Sequence, residues 1–278
     1  MLELGKFRIA QLVTLSTATG YILASGRFSL HMLIPMAGIL LLALGSGALN
    51  QYQERARDAK MPRTCNRPIP SRRISPRGAL VISFGLMLAG AVVLYSGTNP
   101  TALILGLLTA VWYNGVYTNL KKITPLAVIP GSLIGSLPPM VGWVSAGGYV
   151  FSPVVLALAF FFFIWQIPHF WLLLLNFGQD YEKAGYPSLT AMMDRGQLGR
   201  LTFMWIVATA AAIIILPVFG LAQSVVIFFL LFISAAALVY FSLSLIRSSG
   251  QGSFRLAFRS INFFILLVMV LITIDRLI

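Results

Sequence analysis

Nine apolar segments recur along the chain and constrain its fold more than any other feature. They are residues 9–25, 31–50, 78–96, 99–118, 125–146, 153–176, 200–219, 222–246 and 258–276. A helix needs about 20 apolar residues to cross the hydrocarbon core of a bilayer, and no Asp, Glu, Lys or Arg lies well inside any of these segments. Only 10% of the 278 residues are charged, whereas a soluble domain carries roughly 25%. The sequence therefore predicts an all-α integral membrane protein, a bundle of about nine transmembrane helices in a single domain spanning residues 1–278.

The basic residues predict how this bundle is oriented. Of the 20 Lys and Arg residues, 18 fall on one side of the predicted membrane, and only Arg27 and Arg276 fall on the other. Because Lys and Arg are retained on the cytoplasmic side, we expect a multi-pass protein of the bacterial inner membrane with a cytoplasmic N-terminus and an external C-terminus. No signal peptide is expected, since the first segment follows Lys6 and Arg8 directly. The net charge of +13 is thus mainly a topology signal, and the lipid bilayer rather than nucleic acid is the expected partner.

The acidic residues are few and concentrated on the same basic side. Of seven carboxylates, five lie in the two long loops after the second and sixth segments, a clustering that the scarcity of long loops would also produce. Asn50, Glu54 and Asp58 follow an i, i+4, i+8 spacing, which places them on one face of a helix that continues out of the second segment. Two carboxylates and an amide oxygen suit Mg²⁺, which prefers one or two carboxylates together with substrate phosphates. Asn176 and Asp180 repeat the i, i+4 spacing after the sixth segment.

Basic side chains surround the first acidic group. Lys60, Arg63, Arg67, Arg72 and Arg73 follow it in the same loop, and Lys121 and Lys122 follow Tyr117 on the same side of the membrane. This mixture predicts either a solvated network of ion pairs or a polyphosphate site in which Arg binds the remaining phosphate oxygens. The second basic pair favours the phosphate site. A polyprenyl diphosphate matches it, with a charged head for the loops and an apolar tail for the bundle.

Several motifs resemble the UbiA superfamily of intramembrane prenyltransferases, and within it the branch that farnesylates protohaem IX. They are NQYQERARD (Asn50 to Asp58) with the following AKMPRTCNRPIP, YTNLK (Tyr117 to Lys121), WQIPHFW (Trp165 to Trp171) and DYEKAGYP (Asp180 to Pro187). The resemblance extends from about Lys6 to Leu189. The sequence departs from the family pattern at Glu54, where Asp is usual, at Phe7, where Pro is common, and at Gln179, which is often acidic.

The resemblance implies a reaction and a set of site residues. A farnesyl group would pass from farnesyl diphosphate to the 2-vinyl group of haem B, and water would add to give haem O. Mg²⁺ would be held by Asn50, Glu54, Asp58 and Asp180. Catalysis would use these four residues together with Tyr117 and Lys121, and the diphosphate would bind to Lys60, Arg63, Arg67 and Lys122. Trp165 and His169 would contact haem, although such a tryptophan more often serves packing, and a hydrogen bond within the bundle would equally explain a buried histidine.

Two other functions remain open from the sequence. A related prenyltransferase could act on an aromatic quinone precursor, which the WQIPHFW motif disfavours. A secondary transporter would carry ionisable groups near the bilayer midplane, where this chain has only His169. If the sixth helix stays regular to Asp180, the 11 residues between them place His169 about 16 Å deeper than the metal site. Haem A synthase or oxidase assembly factors are expected neighbours by pathway alone.

Overall fold

A computed structural model describes residues 3–247 and 250–278, and all regular secondary structure in these two ranges is helical. Nine long helical segments cover this part of the chain. They are α1 (Phe7–Ser25), α2 (Leu30–Asp58), α3 (Pro76–Gly97), α4 (Pro100–Leu120), α5 (Pro125–Ser145), α6 (Pro153–Lys183), α7 (Arg195–Val218), α8 (Val225–Arg247) and α9 (Gln251–Leu277). The predicted all-α bundle is thus confirmed. The largest differences from the predicted segments are at α2, α6 and α9, which extend beyond their apolar residues on the basic side.

Eight of the nine segments, α2 to α9, are long and apolar enough to cross a membrane. The exception is α1, whose sequence contains Arg8 and Gln11 in its first turns and Thr14, Ser16 and Thr17 further along. The last three residues are hydroxyl-bearing. These side chains are buried against neighbouring helices, and their hydroxyl groups donate to carbonyl oxygens of the preceding turn at 2.8, 2.8 and 3.2 Å. A hydroxyl satisfied in this way is compatible with a helix inside a bilayer bundle.

The helices pack as two groups, which are joined by α1 and by the contact between α5 and α6. In the first group, α2 packs against both α3 and α4, and α4 packs against α5. In the second, α6, α7, α8 and α9 form a closed set of four neighbours. Helix α1 touches α2, α5 and α9. Its contact with α5 is a backbone contact, since a Cβ atom at Gly20 would lie 1.9 Å from the carbonyl oxygen of Pro139. Only glycine permits this approach.

Two helices lose regular geometry on the side where the predicted site residues lie. Helix α4 contains a π-helical turn from Trp112 to Tyr117, a feature that often marks functional positions. Helix α6 has a non-helical residue at Phe177 (φ −132°, ψ 15°), which separates its membrane portion from the short stretch that bears Asp180. The assumption of a regular helix from His169 to Asp180 therefore fails at Phe177. The calculated 16 Å rise between them does not apply.

Candidate active site

One face of α2 carries the first acidic motif into the interior. The helix stays regular to Asp58, so Asn50, Glu54 and Asp58 succeed each other along one side. Their exposed fractions are 0%, 5% and 1%. Burial of two carboxylates only four residues apart is costly unless cations compensate their charge. The side chains around them supply those cations.

Each carboxylate of this face has a basic partner. Lys121, at the end of α4, brings its Nζ to 2.5 Å from Oε1 of Glu54. The hydroxyl of Tyr186 donates to the same oxygen at 2.7 Å. Nη1 of Arg67 donates to both oxygens of Asp58, at 2.9 and 2.8 Å. The predicted diphosphate residue Arg67 and the predicted catalytic residue Lys121 therefore lie at the acidic face.

The side chain of Asn50 is hydrogen-bonded to two residues that were not among the predicted site residues. Its Oδ1 accepts a hydrogen bond from Nζ of Lys6 at 2.5 Å, and its Nδ2 donates to the hydroxyl of Thr118 at 3.0 Å. The same ammonium group donates to the hydroxyl of Tyr113 at 3.2 Å. Burial lowers the pKa of Lys6 to about 8. In the sequence, Lys6 served only as evidence for the orientation in the membrane. Its position directly before α1, on the same side of the membrane as the acidic motifs, was the signal that it could reach the site.

Aromatic rings lie directly beneath these charges. The ring of Tyr117 lies 5.1 Å from Nζ of Lys121, stacks on Tyr113 with centroids 6.0 Å apart, and approaches Phe170 of α6 at 5.8 Å. We call Tyr113, Tyr117 and Phe170 the aromatic wall. Its rings connect the acidic face of α2 to the membrane portion of α6, and aromatic faces attract cations.

The second acidic motif is arranged differently. Asp180 follows the break at Phe177 and is half-buried. Within residues 3–247 and 250–278 its carboxylate has no hydrogen-bond or ion-pair partner. Its segment is nevertheless attached to the first motif. The guanidinium of Arg63 lies 5.0 Å from the ring of Phe177, and Tyr186 reaches Glu54. Burial raises the pKa of the Tyr186 hydroxyl, which keeps it a hydrogen-bond donor.

The remaining predicted diphosphate residues lie further out. The side chains of Lys60 and Arg63 are exposed, and Lys122 is half-buried with its Nζ 3.5 Å from Oδ1 of Asn119. Arg73 turns away to pair with Glu3 at 2.9 Å. Arg57 was not among the predicted site residues. Its guanidinium lies 4.4 Å from the ring of Tyr186, and its Nη1 is buried without a hydrogen-bond partner among the described residues.

The donor set can be tested against Mg²⁺. In the described ranges, no three His, Cys, Asp or Glu side chains come together as a ready metal cluster. Glu54 and Asp58 instead offer two carboxylates beside the amide oxygen of Asn50, with basic groups close by. This combination fits Mg²⁺ bound together with phosphate oxygens, which needs only one or two carboxylates from the protein. It does not fit a metal held by protein alone.

The predicted haem residues lie on the membrane portion of α6. His169 is enclosed between the rings of Trp165 and Phe258, with centroids 5.0 and 5.2 Å away. Trp165 is itself fixed, since its Nε1 donates to the carbonyl oxygen of Ile261 at 3.0 Å. The ring of Phe170 lies 5.6 Å from His169, so the imidazole borders the aromatic wall.

Comparisons with known proteins agree with this geometry. Residues 13–268 match the model of the UbiA prenyltransferase family. A protein from Oleidesulfovibrio alaskensis called protoheme IX farnesyltransferase is 33% identical over 276 residues, covering 99% of this chain and 96% of its own. One of the same description from Geobacter sulfurreducens is 38% identical over 216 residues, covering 77% of this chain and 79% of its own.

Solved structures agree in fold. A structure described for digeranylgeranylglyceryl phosphate synthase superposes with a TM-score of 0.79 at 16% identity, covering 99% of this chain and 97% of that one. A UbiA homologue from Archaeoglobus fulgidus, bound to GPP and Mg²⁺, superposes with a TM-score of 0.70 at 15% identity, covering 98% of both chains.

Proposed function

Because the chain belongs to the UbiA prenyltransferase family, we propose that it transfers the farnesyl group of farnesyl diphosphate to the 2-vinyl group of haem B. Water adds in the same reaction, and the product is haem O. The observation that carries this proposal is the buried face of Asn50, Glu54 and Asp58 with its attendant cations. The choice of substrates is supported by relatives that match this chain over almost its whole length and are called protoheme IX farnesyltransferase.

The acidic motifs and the basic side chains have different roles in binding the diphosphate. The acidic motifs bind the metal ion, and the basic side chains bind phosphate oxygens. Asn50, Glu54, Asp58 and Asp180 would hold Mg²⁺, which when bound supplies positive charge to the departing diphosphate. Arg67 and Lys121, now paired with Asp58 and Glu54, turn their donors toward phosphate oxygens when the substrate binds. Lys6 and Arg57 lie at the same face and add further donors. The outer residues Lys60, Arg63 and Lys122 receive the diphosphate at the entrance.

The apolar part of the reaction takes place beside the aromatic wall. As the bond between farnesyl C1 and the diphosphate oxygen breaks, positive charge develops on the allylic carbons. The faces of Tyr113, Tyr117 and Phe170 stabilise that charge and exclude bulk water. The terminal carbon of the haem vinyl group then bonds to farnesyl C1. The vinyl group is the nucleophile, so the protein supplies none, and Trp165 and His169 lie on the side where the porphyrin would bind.

The reaction is tested by supplying the purified protein with Mg²⁺, farnesyl diphosphate and either haem B or a hydroxybenzoate. We expect a haem product heavier by one farnesyl group and one hydroxyl group by mass spectrometry, and no prenylated benzoate. Asp58→Ala serves as the inactive control. Prenylation of the benzoate in preference to haem would instead support the quinone-precursor reaction.

The orientation of the protein is proposed from its basic residues. The loops at 59–75, 121–124 and 184–194 would face the cytoplasm of a bacterial inner membrane, and the C-terminus would face outward. This places the diphosphate site on the cytoplasmic side, and haem A synthase or oxidase assembly factors would receive the product. A reporter enzyme that is active only outside the cytoplasm, fused after Ile278, should be active; an inactive reporter there, with an active one in the 184–194 loop, would reverse the orientation.

A further inference from the structure

Two acceptor atoms on α6 are buried without a hydrogen-bond partner in the described part of the chain. They are Oε1 of Gln166 and Nδ1 of His169. A buried acceptor left unsatisfied costs about 1–3 kcal/mol, and such atoms in native proteins usually serve a catalytic role or bind an ordered water. The two residues are three positions apart on one helix, so their side chains are neighbours.

The side chain of Asn262, on α9, lies beside the imidazole of His169. Nδ2 of Asn262 donates to the carbonyl oxygen of Phe258 at 2.6 Å, and the ring of Phe258 packs on the imidazole. Oδ1 of Asn262 is an acceptor for the tautomer in which Nε2 carries the proton. In that tautomer Nδ1 presents a lone pair.

Surrounding side chains hold both acceptor atoms in place. The imidazole is enclosed between Trp165 and Phe258. The amide of Gln166 lies against the backbone of α5, where a Cβ atom at Gly135 would come within 1.7 Å of Oε1. A water bound between such groups would have the two or more polar partners that buried waters need. It would also lie next to Phe170 of the aromatic wall, close to where the carbon–carbon bond forms.

We propose that Nδ1 of His169 is the general base that activates the water added to the farnesylated vinyl group, with Gln166 holding that water and Asn262 positioning the imidazole. The proposal rests on the proposed function.

The step balances without an oxidant or reductant. When farnesyl C1 bonds to the terminal vinyl carbon, the diphosphate leaves with the electron pair of the broken C–O bond, and positive charge remains on the inner vinyl carbon. The water oxygen bonds to that carbon, and one water proton passes to Nδ1. The imidazolium that forms donates from Nε2 to Oδ1 of Asn262. Without a base, the cation loses a proton from the neighbouring carbon instead, and the product is an alkene lacking one water.

The test measures which of these two products forms. His169→Phe keeps a ring between Trp165 and Phe258 but removes the base, and His31→Phe, at the exposed end of α2, is the matched control. Each full-length variant is incubated with Mg²⁺, farnesyl diphosphate and haem B in ¹⁸O-labelled water. The extracted porphyrins are then separated by chromatography, and their masses are measured by mass spectrometry. Because a general base contributes about 10²–10⁴-fold, we expect His169→Phe to lower the ratio of hydrated to dehydrated product by about 10²-fold or more. His31→Phe should leave the ratio unchanged.

Two further variants test the residues that position the imidazole and the water, as distinct from the base itself. Asn262→Leu should lower the ratio less than His169→Phe, because the imidazole remains and loses only the partner that positions it and stabilises the imidazolium. Gln166→Leu should lower the ratio without changing haem affinity. If His169→Phe does not fold, these two variants decide the question, and an unchanged ratio in both would overturn the proposal.

Other results would also overturn it. An unchanged ratio in folded His169→Phe would do so, as would loss of every product while both substrates bind normally, because the base acts after carbon–carbon bond formation. A changed haem spectrum in His169→Phe would assign the imidazole to the iron. A wild-type protein that makes no farnesylated haem would contradict the proposed function itself, which is a separate result.

Discussion

The two acidic motifs differ in how far folding alone has prepared them. On α2, the carboxylates of Glu54 and Asp58 are almost fully buried, and each contacts a Lys or Arg. After the break at Phe177, Asp180 is half-buried and has no partner in the described ranges. The negative charge of the first motif is thus compensated by neighbouring Lys and Arg side chains, whereas that of Asp180 is not.

This difference assigns the two motifs different tasks. A buried carboxylate that is paired with a cation is positioned before any substrate arrives, and the same cation can transfer to a phosphate. An unpaired carboxylate at the surface gains a strong partner only when a metal ion and diphosphate bind. The α2 face therefore acts as the rigid half of the site, and the segment from Phe177 to Tyr186 as the half that the substrate completes.

The largest expected effect comes from removing the carboxylate of Asp58 or that of Asp180. Asp58→Ala and Asp180→Ala should each lower turnover by about 10²–10³-fold, the usual loss when a positioned electrostatic group is deleted. Their effects on stability should differ. Asp58→Ala leaves Arg67, which is 21% exposed, without its partner, and should lower the free energy of unfolding by about 1–3 kcal/mol. Asp180→Ala should leave stability unchanged.

Both quantities can be measured on protein in detergent, turnover with haem B and stability by thermal unfolding. Glu182→Ala is the matched control, because this exposed carboxylate of the same segment accepts only from Thr190. Full activity of Asp58→Ala at low Mg²⁺ would remove it from the metal site. Equal destabilisation by both aspartate variants would contradict the division of the site into a rigid half on α2 and a half that the substrate completes.

A smaller effect is expected where the two motifs are joined. The hydroxyl of Tyr186 connects the second motif to Glu54, and a hydrogen bond to a charged group is worth about 1.5–3 kcal/mol. Tyr186→Phe should therefore lower turnover by about 10- to 10²-fold while the protein stays folded. Tyr181→Phe is the control, since its ring contacts Tyr186 without a bond from its hydroxyl to Glu54. Equal losses in both variants would show that ring packing, rather than the hydroxyl, joins the motifs.

Local sequence patterns predicted the helices and the acidic face of α2, because both depend on residues a few positions apart. The partners of that face lie far away along the chain and could not be predicted from spacing. Lys6 is 44 residues from Asn50, and Tyr186 is 132 residues from Glu54. Only the packing of α1 against α2 and the return of the chain after α6 bring them together.

The break at Phe177 was also beyond the reach of the sequence. A regular helix through Asp180 was the expected course, and neither glycine nor proline occupies position 177. The predicted apolar segment nevertheless ends at residue 176, directly before the break. The hydrophobic pattern therefore located the end of the membrane portion, but it carried no information on backbone geometry.

The smallest expected effect concerns the length of one side chain on the rigid half. Oε1 of Glu54 accepts from both Lys121 and Tyr186, and Glu54→Asp keeps the charge but withdraws it by one methylene. Glu54→Ala should lose about 10²-fold in turnover. Glu54→Asp should lose about tenfold or less, since a cation as flexible as that of Lys121 can follow the carboxylate whereas the ring of Tyr186 cannot. The loss should then disappear when Glu54→Asp is combined with Tyr186→Phe, because the bond that shortening breaks is already absent. Turnover of the two single variants and the double variant measures this coupling; fully additive losses would mean that the contact between the motifs does not depend on the reach of Glu54.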